Sequence, residues 1–220
     1  MDELLSYSLR DVLMFSPRVY YRLLEHYNGA IWPAQLLTVG LGFAILYLLF
    51  RRAGAMHRLM LAIIGALWIW VAWGFLWERY ATINWPVAYV APLFALQGLM
   101  LIAAGGRLRI PAPRSTVDIA GVVLVAAALI LYPALAQLSG RSWLAAEIFG
   151  LAPDPTAVAT LALLALADGW SRWPLMIIPA IWCALSAATL STLGSGEYFV
   201  PMTGALAAMA IGLARAWQRA

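Results

Sequence analysis

Between Ala34 and Trp77 the chain passes through one apolar stretch, the basic turn Arg51-Arg52-Ala53-Gly54-Ala55-Met56-His57-Arg58, and a second apolar stretch rich in tryptophan. Wound as helices, two such stretches match the hydrocarbon core of a bilayer, and an arginine cluster between them marks a hairpin whose turn stays in the cytoplasm. The rest of the sequence reads as repeating or closing that hairpin. With 64% hydrophobic and only 11% charged residues, against about 25% charged in soluble domains, the chain cannot cover its apolar surface in water. Its expected solvent is lipid.

Seven apolar segments follow, at about 33–50, 59–77, 86–104, 119–138, 155–167, 174–193 and 201–217. The expected fold is all-α: a polytopic membrane bundle of seven transmembrane helices over residues 31–220, preceded by an interfacial amphipathic segment over 1–30. In that segment Ser8 to Asp11 fits a capping box, and Val19, Tyr20, Leu23 and Leu24 alternate at helical spacing with Arg18, Arg22, Glu25 and His26. An acidic Met1-Asp2-Glu3 start does not read as a cleaved signal. Seven crossings place Arg51, Arg52, Arg58, Arg107, Arg109, Arg114, Arg172, Arg215 and Arg219 on one side, opposed there by only Asp118 and Asp168. That bias predicts the N-terminus out and the C-terminus in. The fifth segment is short: thirteen residues of helix reach about 20 Å against a core of roughly 30 Å. It is expected either to borrow Asp168-Gly169-Trp170 or to start below the surface, with residues 144–152 dipping in or lying flat.

Prolines mark the outer helix starts at Trp32-Pro33, Trp85-Pro86, Pro153-Asp154-Pro155 and Val200-Pro201. Between its two prolines, Asp154 is expected to cap the short helix. Pro92, Pro133 and Pro179 interrupt spans and free a carbonyl one turn earlier. Gly204, Ala208 and Gly212 give the last span a smooth face for close helix contact.

Several function classes are excluded. All fourteen basic residues are arginine, so a retinal-like Schiff base has no amine to form on. Cys183 is alone, which leaves no disulfide or thiol pair. The basic residues sit in scattered short loops, so no nucleic acid is expected as a partner. No P-loop, Gly-x-Ser-x-Gly, dinucleotide fingerprint or His-Glu-x-x-His is present, so no catalytic residue, metal site or cofactor is assigned. No charged residue lies in the middle of a segment, which argues against a carrier driven by a buried carboxylate.

The polar residues that remain suggest a vestibule. Gln97 lies mid-segment, where an unpartnered amide is costly, and Gln35 lies nearer the outside. Asp154 and Thr156 stand at the start of the short helix, whose free amides suit a polar solute. Glu25, His26, Glu78 and Glu147 fall on the same face, and Trp70, Trp73 and Trp77 stripe one side of the second segment as a place for a lipophilic ligand. The leading expectation is a non-enzymatic protein of the bacterial cytoplasmic membrane that binds or passes a small solute. An accessory subunit of a larger membrane assembly, suggested by the charge-free segments, the tryptophans and the smooth last helix, and a membrane enzyme or lipophilic-cofactor binder are the alternatives; a homo-oligomer is compatible with the leading expectation.

Three stretches, Tyr27-Asn28 leading to Trp32-Pro33-Ala34-Gln35, then Phe149-Gly150-Leu151-Ala152-Pro153-Asp154-Pro155-Thr156, then Ile178-Pro179-Ala180-Ile181-Trp182, resemble a bacterial family of multi-pass membrane proteins known only as a domain of unknown function. The resemblance covers nearly the whole chain. It implies the architecture and brings no activity, cofactor or functional residue with it.

Overall fold

The structure, a computed structural model, describes residues 15–51 and 54–218. The proposed cap at Ser8, and Arg52 and Arg219 of the sidedness argument, lie outside the described residues. Among the described residues, eight α-helices form the fold: α1 Pro17–Ala30, α2 Ala34–Leu49, α3 Gly54–Trp70, α4 Val87–Ala104, α5 Thr116–Leu138, α6 Pro153–Ala165, α7 Arg172–Thr192 and α8 Phe199–Trp217. After Trp70 the α3 path widens into a π-helix over Val71–Trp77, closed by Glu78 N–H bonding Trp73 O at 3.1 Å, before a short turn at Tyr80–Thr82.

All seven apolar segments are helices, within about three residues of their expected bounds apart from the start of α3, but the count of seven spans is corrected. Five helices are long and apolar enough to cross a membrane, or six if α1 and α2 together count as one span bent by 91°. Two segments are too short. With 16 residues, α2 reaches only about 24 Å, and α6, with 13, reaches about 20 Å. Every residue from Phe149 to Ala167 is buried. Thus α6 is an inner helix, walled in by α3, α5, α7 and α8, and its apolar surface meets other helices all round.

Close approach is built from small residues. A β-carbon on Gly98 would stand 2.5 Å from the Gly65 carbonyl oxygen, and one on Gly65 would stand 2.6 Å from that of Gly98, so α3 and α4 cross with their backbones nearly touching. The smooth face of α8 is turned the same way: Gly204 abuts Val158, Gly212 abuts Trp173 and Ala165, and Ala208 is buried. That face is covered by α6 and α7 of the same chain, which removes it as an argument for a partner protein.

Both ends of α6 carry charge suited to a helix dipole. At its C-terminal end Arg172 bonds the Ala167 carbonyl and, at 2.7 Å, that of Gly212. Arg215, 2% exposed, reaches Ala165 O at 3.2 Å and pairs through Nε with Asp118 at 2.6 Å. Asp118 also closes a capping box with Ser115 at the start of α5, and Asp168 N–H donates to Arg109 O at 2.8 Å. These contacts gather the ends of α4, α6 and α8 and the starts of α5 and α7 at one arginine-rich end of the bundle. The other end, where α1 lies, holds the start of α6.

Candidate functional site

At the α1 end the sequence places two acids on either side of a tight turn: Glu147 before it and Asp154 after it, with Gly150 at φ 78° between them. The chain reaches α6 through the turn Trp143–Ala145 and a short extended piece bridging Phe149 to Ala152. Asn28 of α1 fixes that approach, its amide donating to Leu144 O at 2.7 Å and Ala146 O at 2.9 Å. Residues 144–152 are therefore held beneath α1.

The cap of α6 is Ala152, so Asp154 stands two positions deeper than expected and bonds no amide of its own helix. This corrects its assignment as the N-cap. Because the helix begins at Pro153, the Asp154 carboxylate, 1% exposed, is carried sideways to α7. There it accepts from Trp182 Nε1 at 2.7 Å and from Ser186 Oγ at 2.6 Å. Glu147 accepts from the Tyr20 hydroxyl of α1 at 2.8 Å. Burial, and then the neighbouring Asp154 charge, push the Glu147 carboxyl up to about 8. Among the described residues neither acid has an ion-pair partner. The argument against a buried carboxylate is thereby corrected: distance from the segment ends does not measure depth when the helix itself is interior.

The three donors to these acids, Tyr20, Trp182 and Ser186, line one cavity of about 260 Å³. It lies between α1, the turn after α3, the start of α4 and the second half of α7, with Tyr80, Asn84, Val87, Val90 and Thr189 completing much of its wall. Asp154 stands one side chain behind that wall, and Glu147, which is partly exposed, is joined to it through Tyr20. Trp182 and Ser186 are four apart and so share a face of α7, a sequence signal that acquires meaning only once Asp154 is known to lie opposite.

The other expected site residues do not converge here. Gln97 donates to Leu175 O at 2.8 Å, across from α4 to α7. Gln35 donates to Asn28 O at 2.7 Å, fastening α2 to the end of α1. Thr156 is occupied locally, accepting from Gly150 N–H and donating to Ala152 O. A vestibule joining Gln35, Gln97, Asp154 and Thr156 is not what the fold builds. Glu25, His26 and Glu78 stand outside the cavity, His26 and Glu78 exposed and Glu25 partly so. No group of three metal-ligating side chains occurs among the described residues.

Trp70, Trp73 and Trp77 are exposed. Trp73 and Trp77, with Ile69, Ala72, Ala91 and Pro92, line a shallow apolar groove where α4 meets the π-helical turn. Trp70 is tied back through Nε1 to the Tyr27 hydroxyl at 3.0 Å. Trp68, on the opposite side, is fully buried and donates to Thr160 of α6 at 2.7 Å.

No curated protein and no solved structure matches the chain. The pattern of one family of unknown function, DUF6064, matches residues 17–219, and the chain belongs to that family.

Proposed function

We propose that this is an integral membrane protein that binds a small amphipathic solute bearing a positively charged amine in the cavity between α1, α4 and α7. Its five or six spans sit in a bacterial cytoplasmic membrane, with the α1 end outside and the arginine-rich end in the cytoplasm, as Arg51, Arg58, Arg107, Arg109 and Arg114 favour.

The observation that carries this reading is the direction of the wall hydroxyls. Tyr20 and Ser186 spend their protons on Glu147 and Asp154, so what remains for an occupant is their oxygen lone pairs. A hydroxyl that donates to a carboxylate becomes a better acceptor. The cavity therefore favours a ligand rich in donors and disfavours an anion. Tyr20, Tyr80 and Trp182 are among the lining residues, aromatic rings attract an ammonium group, and the aliphatic wall from α4 and α7 suits an apolar body.

Titrating the protein in lipid nanodiscs with benzylamine, benzyl alcohol and benzoate tests this, because the three probes differ chiefly in charge and donor count. Saturable binding is expected in that order of affinity, with benzylamine weakened about tenfold or more by Ser186→Ala. Equal affinities, a preference for benzoate, or no binding of benzylamine by folded protein overturns the reading.

A further inference from the structure

We infer that the cavity exchanges a proton for its cationic solute: in the solute-free protein Glu147 and Asp154 hold one proton between them, and an alkylammonium group docking on the Tyr20 and Ser186 hydroxyls drives it out. The inference rests on the reading above and adds to it the regulation of the same site.

Geometry supplies the first ground. The two carboxylates flank one turn, both lie behind one cavity, and each is joined to that cavity through a hydroxyl, at 2.8 Å for Tyr20 to Glu147 and 2.6 Å for Ser186 to Asp154. A charge arriving in the cavity thus lies one side chain from both acids.

Charge balance supplies the second. Among the described residues, the titratable and charged groups facing the pair are Tyr20 from α1, Tyr80 from the turn after α3, Tyr132 from α5, Arg141 from the α5–α6 connection, Cys183 from α7 and Glu197 from the α7–α8 connection. Arg141 is the one cation of the set, and it is spent elsewhere: it pairs with Glu197 and stacks 3.9 Å over the Tyr21 ring. Ionised together, the buried Asp154 and the partly buried Glu147 repel, and each gives up some or all of its hydration. One proton relieves both costs, and so does one bound cation. Holding both at once gains little.

Tyr132 adds a third observation. Among the described residues its buried hydroxyl has no hydrogen-bond partner, and it lies within electrostatic reach of both acids. It is a donor held in reserve for the moment when both carboxylates are ionised. In the exchange the ammonium group keeps its own protons, the carboxyl O–H bond breaks, and that proton passes to water. The net charge of the site is unchanged.

Linkage gives the sign. With the proton on Glu147, whose carboxyl titrates near 8, affinity for an ammonium probe rises about tenfold per pH unit below that value and levels off above it. Calorimetric titration of nanodisc protein with benzylamine near neutral pH, in two buffers of different ionisation enthalpy, reads the proton directly. Close to one proton released per amine bound is expected, and Glu147→Gln is expected to bind without release and with a flat pH profile. Binding with identical heats in both buffers overturns this inference and leaves the proposed function standing. Failure of benzylamine to bind overturns both. Should Glu147→Gln not fold, infrared spectra of the unaltered protein decide: a protonated-carboxyl band near neutral pH that weakens on adding benzylamine is expected, and its absence overturns the exchange.

Discussion

The Gln97 side-chain amide of α4 donates, at 2.8 Å, to the main-chain carbonyl of Leu175 in α7. That carbonyl lies four residues before Pro179, whose ring nitrogen has no proton to give it. A polar side chain on one helix thus repairs the break that proline makes in another. Inside an apolar bundle no water stands ready to do so.

Replacing Gln97 by leucine leaves the Leu175 oxygen unpaired and is expected to destabilise the protein by about 1–3 kcal/mol. Restoring the missing N–H with Pro179→Ala is expected to recover most of that loss in the double variant. A double-mutant cycle by denaturant unfolding in mixed micelles measures the coupling. Additive losses sink the account.

The Gly65 and Gly98 crossing gives a second expectation. In each direction an added β-carbon meets backbone, which cannot swing aside as a side-chain tip can. Gly98→Val forces α3 and α4 apart and is expected to cost about 3 kcal/mol, at the upper end for overpacked cores. Gly106→Val, where nothing lies within 4 Å, serves as the control and is expected to shift the melting temperature little. Comparable melting of the two variants contradicts the close crossing.

Arg215 and Asp118 set a third. Their contact, at 2.6 Å, lies beside the carbonyl end of α6, and Arg215 bonds Ala165 O as well. Arg215→Met strands a buried carboxylate and takes away one of the two arginines at the carbonyl end of the inner helix, Arg172 remaining, for an expected loss of about 3–5 kcal/mol. Adding Asp118→Asn, which removes the stranded charge, is expected to return part of it. Urea titration of the single and double variants measures the difference.

How much of this was legible in the sequence depends on what hydropathy can see. Helix limits were readable because punctuation is local: α4 was read as 86–104 and found at Val87–Ala104, bracketed by Trp85-Pro86 and Gly105. The role of α6 was not, because an apolar helix surrounded by helices has the same composition as one surrounded by lipid. Its shortness was the visible clue, and its burial required the packing of α3, α5, α7 and α8 around it. Asp154, expected to cap α6, bonds α7 instead. A two-residue shift in where the helix begins decides whether its carboxylate caps amides or crosses to Trp182 and Ser186. Tyr20 was read as part of an apolar stripe, and nothing local reveals that its hydroxyl meets Glu147. The pairing of Arg215 with Asp118 was equally hidden, since both were counted only as votes on sidedness.

Glu147 carries the last expectation, a dependence of stability on pH. Its carboxyl is raised from an ordinary 4.5 to about 8 by burial first and by Asp154 second. The folded protein therefore keeps a proton that the unfolded chain loses as pH climbs past the ordinary value. With more protons bound in the folded state, stability falls as pH rises across that interval and is level above about 8. The direction is opposite to that of a salt-bridged acid, which loses stability on acidification. The melting temperature is expected to be higher near pH 5 than near pH 8, and Glu147→Gln, which keeps the shape and accepts the Tyr20 hydrogen bond without ionising, is expected to flatten this part of the profile. A melting temperature that rises across the same interval, or one that Glu147→Gln leaves unaltered, refutes the assignment of the proton to this side chain.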